Sequence, residues 1–429
     1  MPTARIAMIF GGRSVEHEVS VITAHQAMAA LPRDRFTPVP VYIAKSGRWY
    51  TGDVLHDLNN FKDLDALTEQ ARPVVFSSDT ARPGLLYEPT PQRARLFGGR
   101  AQEQLTEPID VAFPLVHGSH GEDGTLQGLF ELADLPYVGS GVAASAIGMD
   151  KRLTKSILRD AGLPVIDDIV VSRAQWQRDA EAVLTLIESR FEYPVFVKPC
   201  TLGSSIGVSR ATDRATLTDA MDVAATYDLR LLVEPAQQDI IEVNCSVLGY
   251  GDDSKASTCE QPISEGVLSF ADKYLPSADQ GGAAKGGATS SFAKQGMRNT
   301  SGQPTKRGES QGMASARRLI PAPLDPALTQ TVQQAAIRVF SALGAAGVAR
   351  VDFFVRPQTG EYYVNEINTL PGSLAFYLWE HSGVAFPDLL TALIGFAQMR
   401  YREKRRITYT FASSLLSGKP FGGSKQVQA

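Results

Sequence analysis

The stretch "RVDFFVRPQTGEYYVNEINTLPG", residues 350–372, holds two strand-like runs on either side of Gln358-Thr359-Gly360. The glycine suits the left-handed position of a three-residue hairpin loop. Pairing Pro357 with Glu361 then sets Asp352 opposite Glu366 and Arg350 opposite Asn368. Alternate residues of a strand face the same side, so these four side chains share one face of two neighbouring strands. Two carboxylates and an amide beside an arginine are costly as core. They are sensible as a magnesium site, because Mg2+ takes few protein oxygens and shares the rest with phosphates. For the last nine residues read alone, a solvated strand end is the plainer alternative. Pro371-Gly372 closes the run, and glycine lets another group approach the backbone.

A magnesium site of this kind needs a nucleotide, and the sequence holds no G-x-x-x-x-G-K-[ST] loop. "VKPCTLGSSIGVS" (197–209) offers another grip: Lys198 brings positive charge to a strand end, and the loop Gly203-Ser204-Ser205-Ile206-Gly207 can turn backbone N–H groups towards phosphate oxygens. Alone, such a loop is usually a turn. Lys151 opens a helix, where a lysine is more often a solvated one. Glu234, ending "LLVEP", is placed either for an adenosine or as a linker carboxylate. "FGGRSVEHEVS" (10–20) is half of a dinucleotide fingerprint without its third glycine. "PLVHGSHGEDG" (114–124) gathers His117, His120, Glu122 and Asp123 after a strand. A substrate loop fits it better than zinc, since H-x-x-H lacks a helical context.

Strand–glycine turn–helix alternation near the N-terminus ("ARIAMIF", "VSVITAHQAMAAL", "PVPVYIA", "DVAFPLVHG") predicts an open parallel α/β, Rossmann-like unit over residues 1–150. The run "VAASAIGMDKRLTKSILRDAGLP" reads as one helix stopping at Gly162-Leu163-Pro164 and leads into a second unit, 151–236. Strands dominate a third unit, 237–413, with a helix over 325–347. Residues 281–318 carry seven basic residues, one acid and almost no large apolar side chain, which predicts a disordered insertion. The tail 414–429 is similarly low in structure.

The 429 residues are 43% hydrophobic and 21% charged, ordinary for a globular protein, and the net charge of −4 gives no reason to expect nucleic acid or an anionic membrane as partner. The N-terminus lacks a secretory apolar core and no long apolar run is present, so the expectation is a cytoplasmic protein with its three cysteines, Cys200, Cys245 and Cys259, reduced.

Six motifs in this order, "GGRSVEHEVS", "HGSHGEDGTLQG", "YVGSGVAASAIGMDK", "VKPCTLGSSIGVS", "RVDFF" and "NEINTLPG", resemble the ATP-grasp superfamily and, within it, the D-alanine–D-alanine ligases. The resemblance covers nearly the whole chain apart from the insertion and tail. It implies a three-domain ATP-grasp architecture and the ATP-driven joining of two D-alanines for cell-wall precursors, with two Mg2+ (or Mn2+) ions and a homodimer. Lys151, Lys198, Ser205 and Lys273 would hold ATP with Glu234 and Glu242. Asp352, Glu366 and Asn368 would bind the metal ions, Glu366 bridging. Glu16 would receive the first D-alanine's ammonium beside His117, and Ser204 would link the phosphate loop to that end. Tyr274, in the mobile loop "SFADKYLPS", would close over the site towards Ser204 and Glu242. Arg350 and the N–H of Gly372 would form an oxyanion hole. Two departures stand out: the long insertion, and Tyr377 where the family commonly has a serine that helps bind the second substrate's carboxylate. Another ATP-grasp ligase, or a regulatory protein that only grips ATP, are the competing readings.

Overall fold

The computed structural model describes residues 3–81, 84–88, 106–263 and 317–410, and the strands there build three sheets. The first contains β1 (Ala4–Gly11), β2 (Phe36–Ile43), β3 (Trp49–Thr51), β4 (Arg72–Ser77), β5 (Gly84–Tyr87), β6 (Thr106–Glu107) and β7 (Val111–Pro114), in the order β6-β5-β4-β3-β2-β1-β7. Strands β2, β1 and β7 are parallel, as the strand–turn–helix pattern requires, and β3 to β6 extend the sheet antiparallel. Strand β1 is buried on both faces. Ile6, Met8 and Phe10 pack towards the helix α1 (His17–Ala30), and Ala7 and Ile9 pack towards the helix Thr125–Leu132. That explains why it reads as a continuous apolar run.

The second sheet is antiparallel, with β8 (Ile169–Ser172), β9 (Val195–Pro199), β10 (Ser209–Ala211) and β11 (Arg230–Pro235) in the order β10-β9-β11-β8. Strands β9 and β10 bracket the glycine-serine loop. The third sheet holds β12 (Ile241–Tyr250), β13 (Asp253–Pro262), β14 (Arg318–Leu319), β15 (Gly347–Val355) and β16 (Tyr362–Asn368), ordered β14-β13-β12-β15-β16 and antiparallel throughout. The helix Pro326–Ala342 covers one face. The helix Phe386–Lys404 packs Leu389, Leu393 and Ile394 into a core shared by β1, β7, Leu248 of β12 and Val348 of β15. It therefore ties the first sheet to the third.

The hairpin β15–β16 pairs Arg350 with Asn368 and Asp352 with Glu366, the expected register. Its loop differs: Arg356 N–H donates to Glu361 O at 2.8 Å, so four residues, Pro357 to Gly360, make the turn instead of three. A bulge opposite the Asp352/Phe353 step restores the register, the extra residue being Asn365. Gly360 is left-handed at φ 76° as expected.

The single helix expected over 142–160 is two, Val142–Met149 and Lys151–Asp160. Asp150 adopts an extended conformation and accepts from the N–H groups of Arg152 and Leu153, an N-cap that interrupts an otherwise helical sequence. Arg318, counted within the disordered insertion on composition, instead pairs with Pro262 in β14. Local polarity misjudged it because its partners are distant in sequence. The rest of that insertion up to residue 316, the loop carrying Lys273 and Tyr274, and the tail 414–429 lie outside the described residues.

Candidate active site

The hairpin pair Asp352/Glu366 is half of a longer row. Asn244 of β12 lies opposite Asp352, and Glu260 of β13 lies opposite Asn244, so Glu260, Asn244, Asp352 and Glu366 run across four adjacent strands. The next row along the strands is Ser246, Arg350 and Asn368. Hydrogen bonds lock the rows together. Arg350 donates to both oxygens of Asp352, Nε to Oδ1 and Nη2 to Oδ2, each at 2.7 Å. Asn368 Nδ2 donates to Asp352 Oδ2 at 3.1 Å, and Asn244 Nδ2 to Glu260 Oε1 at 3.0 Å. Burial opposes the charge on Arg350, but Asp352 more than offsets it and holds the guanidinium firmly protonated. Among the described residues no three His, Cys, Asp or Glu side chains converge as a metal centre. The donor set here is two carboxylates and an amide, all hard oxygens, and Asp352 and Glu366 line a cleft beside two lysines. This suits a divalent cation that completes its shell on phosphates.

That cleft, of about 470 Å3, lies between the second and third sheets and is lined by Lys151, Lys198, Ser205, Glu234, Glu242 and Asn365 among others. Glu234 is buried between two lysines, Lys198 and Lys155, the latter at 2.6 Å. Burial alone would raise its carboxyl, but Lys198 and then Lys155 pull it down to about 2. Lys151 donates to Leu202 O at 2.6 Å and sits 3.4 Å from Glu366, joining the glycine-serine loop to the carboxylate row. It is no solvated lysine. Ser204 and Ser205 are both left-handed, φ 53° and 58°, a conformation that turns successive N–H groups to one side.

The Glu234 cluster has a pH signature. A carboxyl depressed on folding stabilises above its ordinary pKa near 4.5, and that stabilisation is lost as pH falls towards about 2. Thermal melts from pH 6 to pH 2 should show this loss. Glu234→Gln should lower stability at pH 7 by roughly 3 kcal/mol, because two buried lysines lose their counter-charge, and should flatten the acid limb. An unchanged acid limb in the variant would refute the assignment.

A second, smaller cavity adjoins the cleft at Lys151, Leu202 and Glu366, and there Glu16, Glu122, Gly203 and Asn368 close in. Glu16 precedes α1, is buried, and accepts from the Ser204 hydroxyl. Gly118 is forced by this packing: with φ 72°, a Cβ there would lie 2.5 Å from Ser14 Oγ and 2.7 Å from Glu16 Oε2. Glu122 accepts from the N–H of Gly118 at 2.8 Å and of Leu370 at 3.1 Å. Burial, then the neighbouring Glu16, raise its pKa. Raised to about 8, Glu122 is largely protonated near neutral pH, so Glu16 and Glu366 are the two charged carboxylates that face Lys151, an arrangement that suits a cationic group.

His117 is fully buried with both ring nitrogens engaged, Nδ1 3.0 Å from Leu370 O and Nε2 3.0 Å from Thr23 Oγ1. A carbonyl only accepts, so Nδ1 carries the proton and Nε2 accepts from Thr23, whose oxygen in turn accepts from Ser373 N–H at 3.1 Å. Burial lowers the imidazole to about 4, so the ring is neutral. His117 thus braces α1 and its own loop to the segment after Asn368. That segment is unusual: beyond Gly372, Ser373, Leu374 and Ala375 are all left-handed, φ 53°, 53° and 49°, with no glycine among them. Each costs about 1–2 kcal/mol, which the buried packing around them must offset. Tyr377 then buries its ring and donates its hydroxyl to Glu260 Oε1 at 3.1 Å. Burial and then Glu260 raise its pKa, so it stays protonated.

The structure thus gathers Glu16, Lys151, Lys198, Ser204, Ser205, Glu234, Glu242, Asp352, Glu366 and Asn368 around two adjoining cavities. His117 and Tyr377 are spent on protein partners, while Lys273 and Tyr274 lie outside the described residues. Lys155, Asn244, Glu260 and Thr23 were missed from sequence. Glu242, Asn244 and Ser246 alternate with apolar residues along one strand, and that period could have exposed Asn244.

The family models described as "D-ala D-ala ligase N-terminus" and "D-ala D-ala ligase C-terminus" match residues 5–140 and residues 157–291 and 306–395. The chain is 38% identical to the D-alanine–D-alanine ligase of Heliobacterium modesticaldum, over 94% of this chain and 96% of that one. It is 37% identical to the ligase of the same name from Acetivibrio thermocellus, over 93% and 97%. Among solved structures it resembles the D-alanine-D-alanine ligase from Coxiella burnetii, with 31% identity, TM-score 0.70 and coverage of 95% and 97%. It also resembles the VanG D-Ala:D-Ser ligase from Enterococcus faecalis, with 28% identity, TM-score 0.70 and coverage of 92% and 100%. The chain belongs to the D-alanine–D-alanine ligase family.

Proposed function

We propose that this chain joins two D-alanines at the expense of ATP for cell-wall precursor synthesis, through an acyl phosphate made where its two cavities meet. The observation that carries this reading is the junction at Lys151 and Glu366, where a lysine-lined cleft opens on a carboxylate-lined pocket. One side suits a nucleotide's phosphates and the other an amino acid's ammonium.

In this reading ATP occupies the cleft with its phosphates against Lys151, Lys198 and the Ser204-Ser205 loop, while Glu234 and Glu242 line its nucleoside end. The first D-alanine sets its ammonium on Glu16, which Ser204 orients, and its carboxylate oxygen attacks the γ-phosphorus with release of ADP. Two divalent cations, magnesium or manganese, held by Asp352, Glu366 and Asn368 with Glu366 bridging, would supply charge neutralisation on the phosphates. The second amine attacks the acyl phosphate, and Arg350 with the Gly372 N–H stabilises the tetrahedral oxyanion until phosphate departs. Lys273 and Tyr274 would close over the site. The three sheets correspond to three domains with boundaries near residues 150 and 236, and the enzyme acts as a cytoplasmic homodimer. Among the described residues no helix is long and apolar enough to cross a membrane.

Mass spectrometry of products from ATP, Mg2+ and D-alanine, alone and then with equal D-serine or D-lactate, tests the reading. D-alanyl-D-alanine should dominate every mixture. A mixed product as the main species would move the assignment to another acceptor, and no consumption of D-alanine would overturn it.

A further inference from the structure

The acceptor end of the site has no role yet for one arginine. In a dipeptide ligase of this geometry the donor substrate lies on the β16 side, against Glu16, Gly203 and Thr369. The acceptor amine must reach the acyl carbon from the other side, across Arg350 and Asp352, where the row continues to Asn244 and Glu260. Arg350 lies within electrostatic reach of both Tyr377 and Glu260. An acceptor with its amine near Arg350 and its carboxylate one α-carbon further on therefore meets the wall that those two residues build.

Two candidates for that carboxylate fall away. Arg350 gives its Nε/Nη2 fork to Asp352, and in the proposed mechanism its remaining donors face the oxyanion. The Tyr377 hydroxyl, which stands where a serine was expected to help, donates its proton to Glu260. What does stand there is Arg318. Its guanidinium lies flat over the Tyr377 ring, 3.9 Å from the centroid, and its Nη1 donates to Glu260 Oε2 at 2.7 Å. Glu260 and the Arg318 side chain are 2% and 10% exposed, so the pair is held in a desolvated wall rather than on an open surface. A guanidinium presents its N–H donors in a planar fork, the geometry that a carboxylate matches with two parallel bonds. Stacking on Tyr377 and the bond to Glu260 fix its plane in advance.

We infer that Arg318 binds the α-carboxylate of the acceptor amino acid, with Tyr377 and Glu260 as the residues that position it. The chain would thus have moved acceptor recognition from a short hydroxyl after Gly372 to a cation contributed by β14. This rests on the dipeptide-ligase reading, which a wild-type control tests separately.

The probe is a competition between D-alanine and D-alaninamide as acceptors, with ATP and Mg2+ present. D-Alaninamide has no carboxylate, so it cannot be the donor; its less basic amine biases the ratio alike in every variant, so each variant is compared with wild type at one pH. The product ratio is read by mass spectrometry and does not depend on how much enzyme is folded. Wild type should favour D-alanyl-D-alanine strongly. Arg318→Gln should collapse that preference by about 30-fold, the loss of a charged hydrogen-bonded pair, and raise the acceptor KM far more than the KM for ATP. Arg318→Lys should recover part of the preference, and Glu260→Gln combined with Arg318→Gln, which leaves no buried charge unpaired, should not. An unchanged product ratio in Arg318→Gln, or an equal rise in the KM of ATP and acceptor, overturns the inference and marks Arg318 as a counter-charge to Glu260. If wild type makes no D-alanyl-D-alanine at all, the ligase reading fails first and the assignment falls with it.

Discussion

Glu366→Gln lowers kcat by about a thousandfold or more, yet leaves the melting temperature close to that of wild type. The loss is large because the carboxylate stands at the junction of both cavities, 3.4 Å from Lys151 and opposite Asp352. An amide of the same shape keeps one oxygen but loses the negative charge on which a bridging role between cations depends. The stability change is small because the Glu366 side chain is 19% exposed, so its ion pair with Lys151 is partly screened. Steady-state ADP release with D-alanine and a thermal melt make the comparison. Turnover within tenfold of wild type would exclude Glu366 from the proposed metal ligands.

Arg350→Gln separates structure from chemistry. The guanidinium is buried and holds both oxygens of Asp352, so its removal leaves a buried carboxylate without its strongest partner. The expected cost is about 3–5 kcal/mol of stability. Activity should fall about a hundredfold or more beyond that, since the proposed oxyanion donor is lost as well. Adding Asp352→Asn restores much of the melting temperature by removing the stranded charge, but the double variant stays inactive. Recovery of activity along with stability would show that Arg350 acts only by compensating Asp352.

How far the site could be read from the chain depends on the range of the interactions that build it. The Asp352/Glu366 pair was legible because a hairpin is local and its period of two fixes which side chains share a face. Even there two local details cancelled: a loop one residue longer than expected, and a bulge that returned the register. Asn244 and Glu260 face each other across the local hairpin β12–β13, but Asn244 meets Asp352 from about a hundred residues away, so the alternation that marks Asn244 does not say which carboxylate it joins. Arg318 was misjudged for the same reason, since the basic, glycine-rich sequence before it hid a strand whose partner is Pro262. Asp150 was misread through competition, because good helix formers on both sides outweighed one capping residue. His117 was found by its loop but not understood, since its partners, Leu370 and Thr23, belong to distant segments.

The turn from Ser373 to Ala375 left no trace in the sequence, because left-handed backbone usually announces itself by glycine or asparagine and none is there. Its consequence is one of chirality. For three residues the backbone traces the mirror image of the path that L-amino acids prefer, and the rest of the protein holds it there. A chain made by chemical synthesis with D-alanine at position 375 would follow that path with no conformational penalty. In a ligase of D-alanine, the enzyme's own backbone would thus be most hospitable to its substrate's handedness beside the place where it joins two such residues.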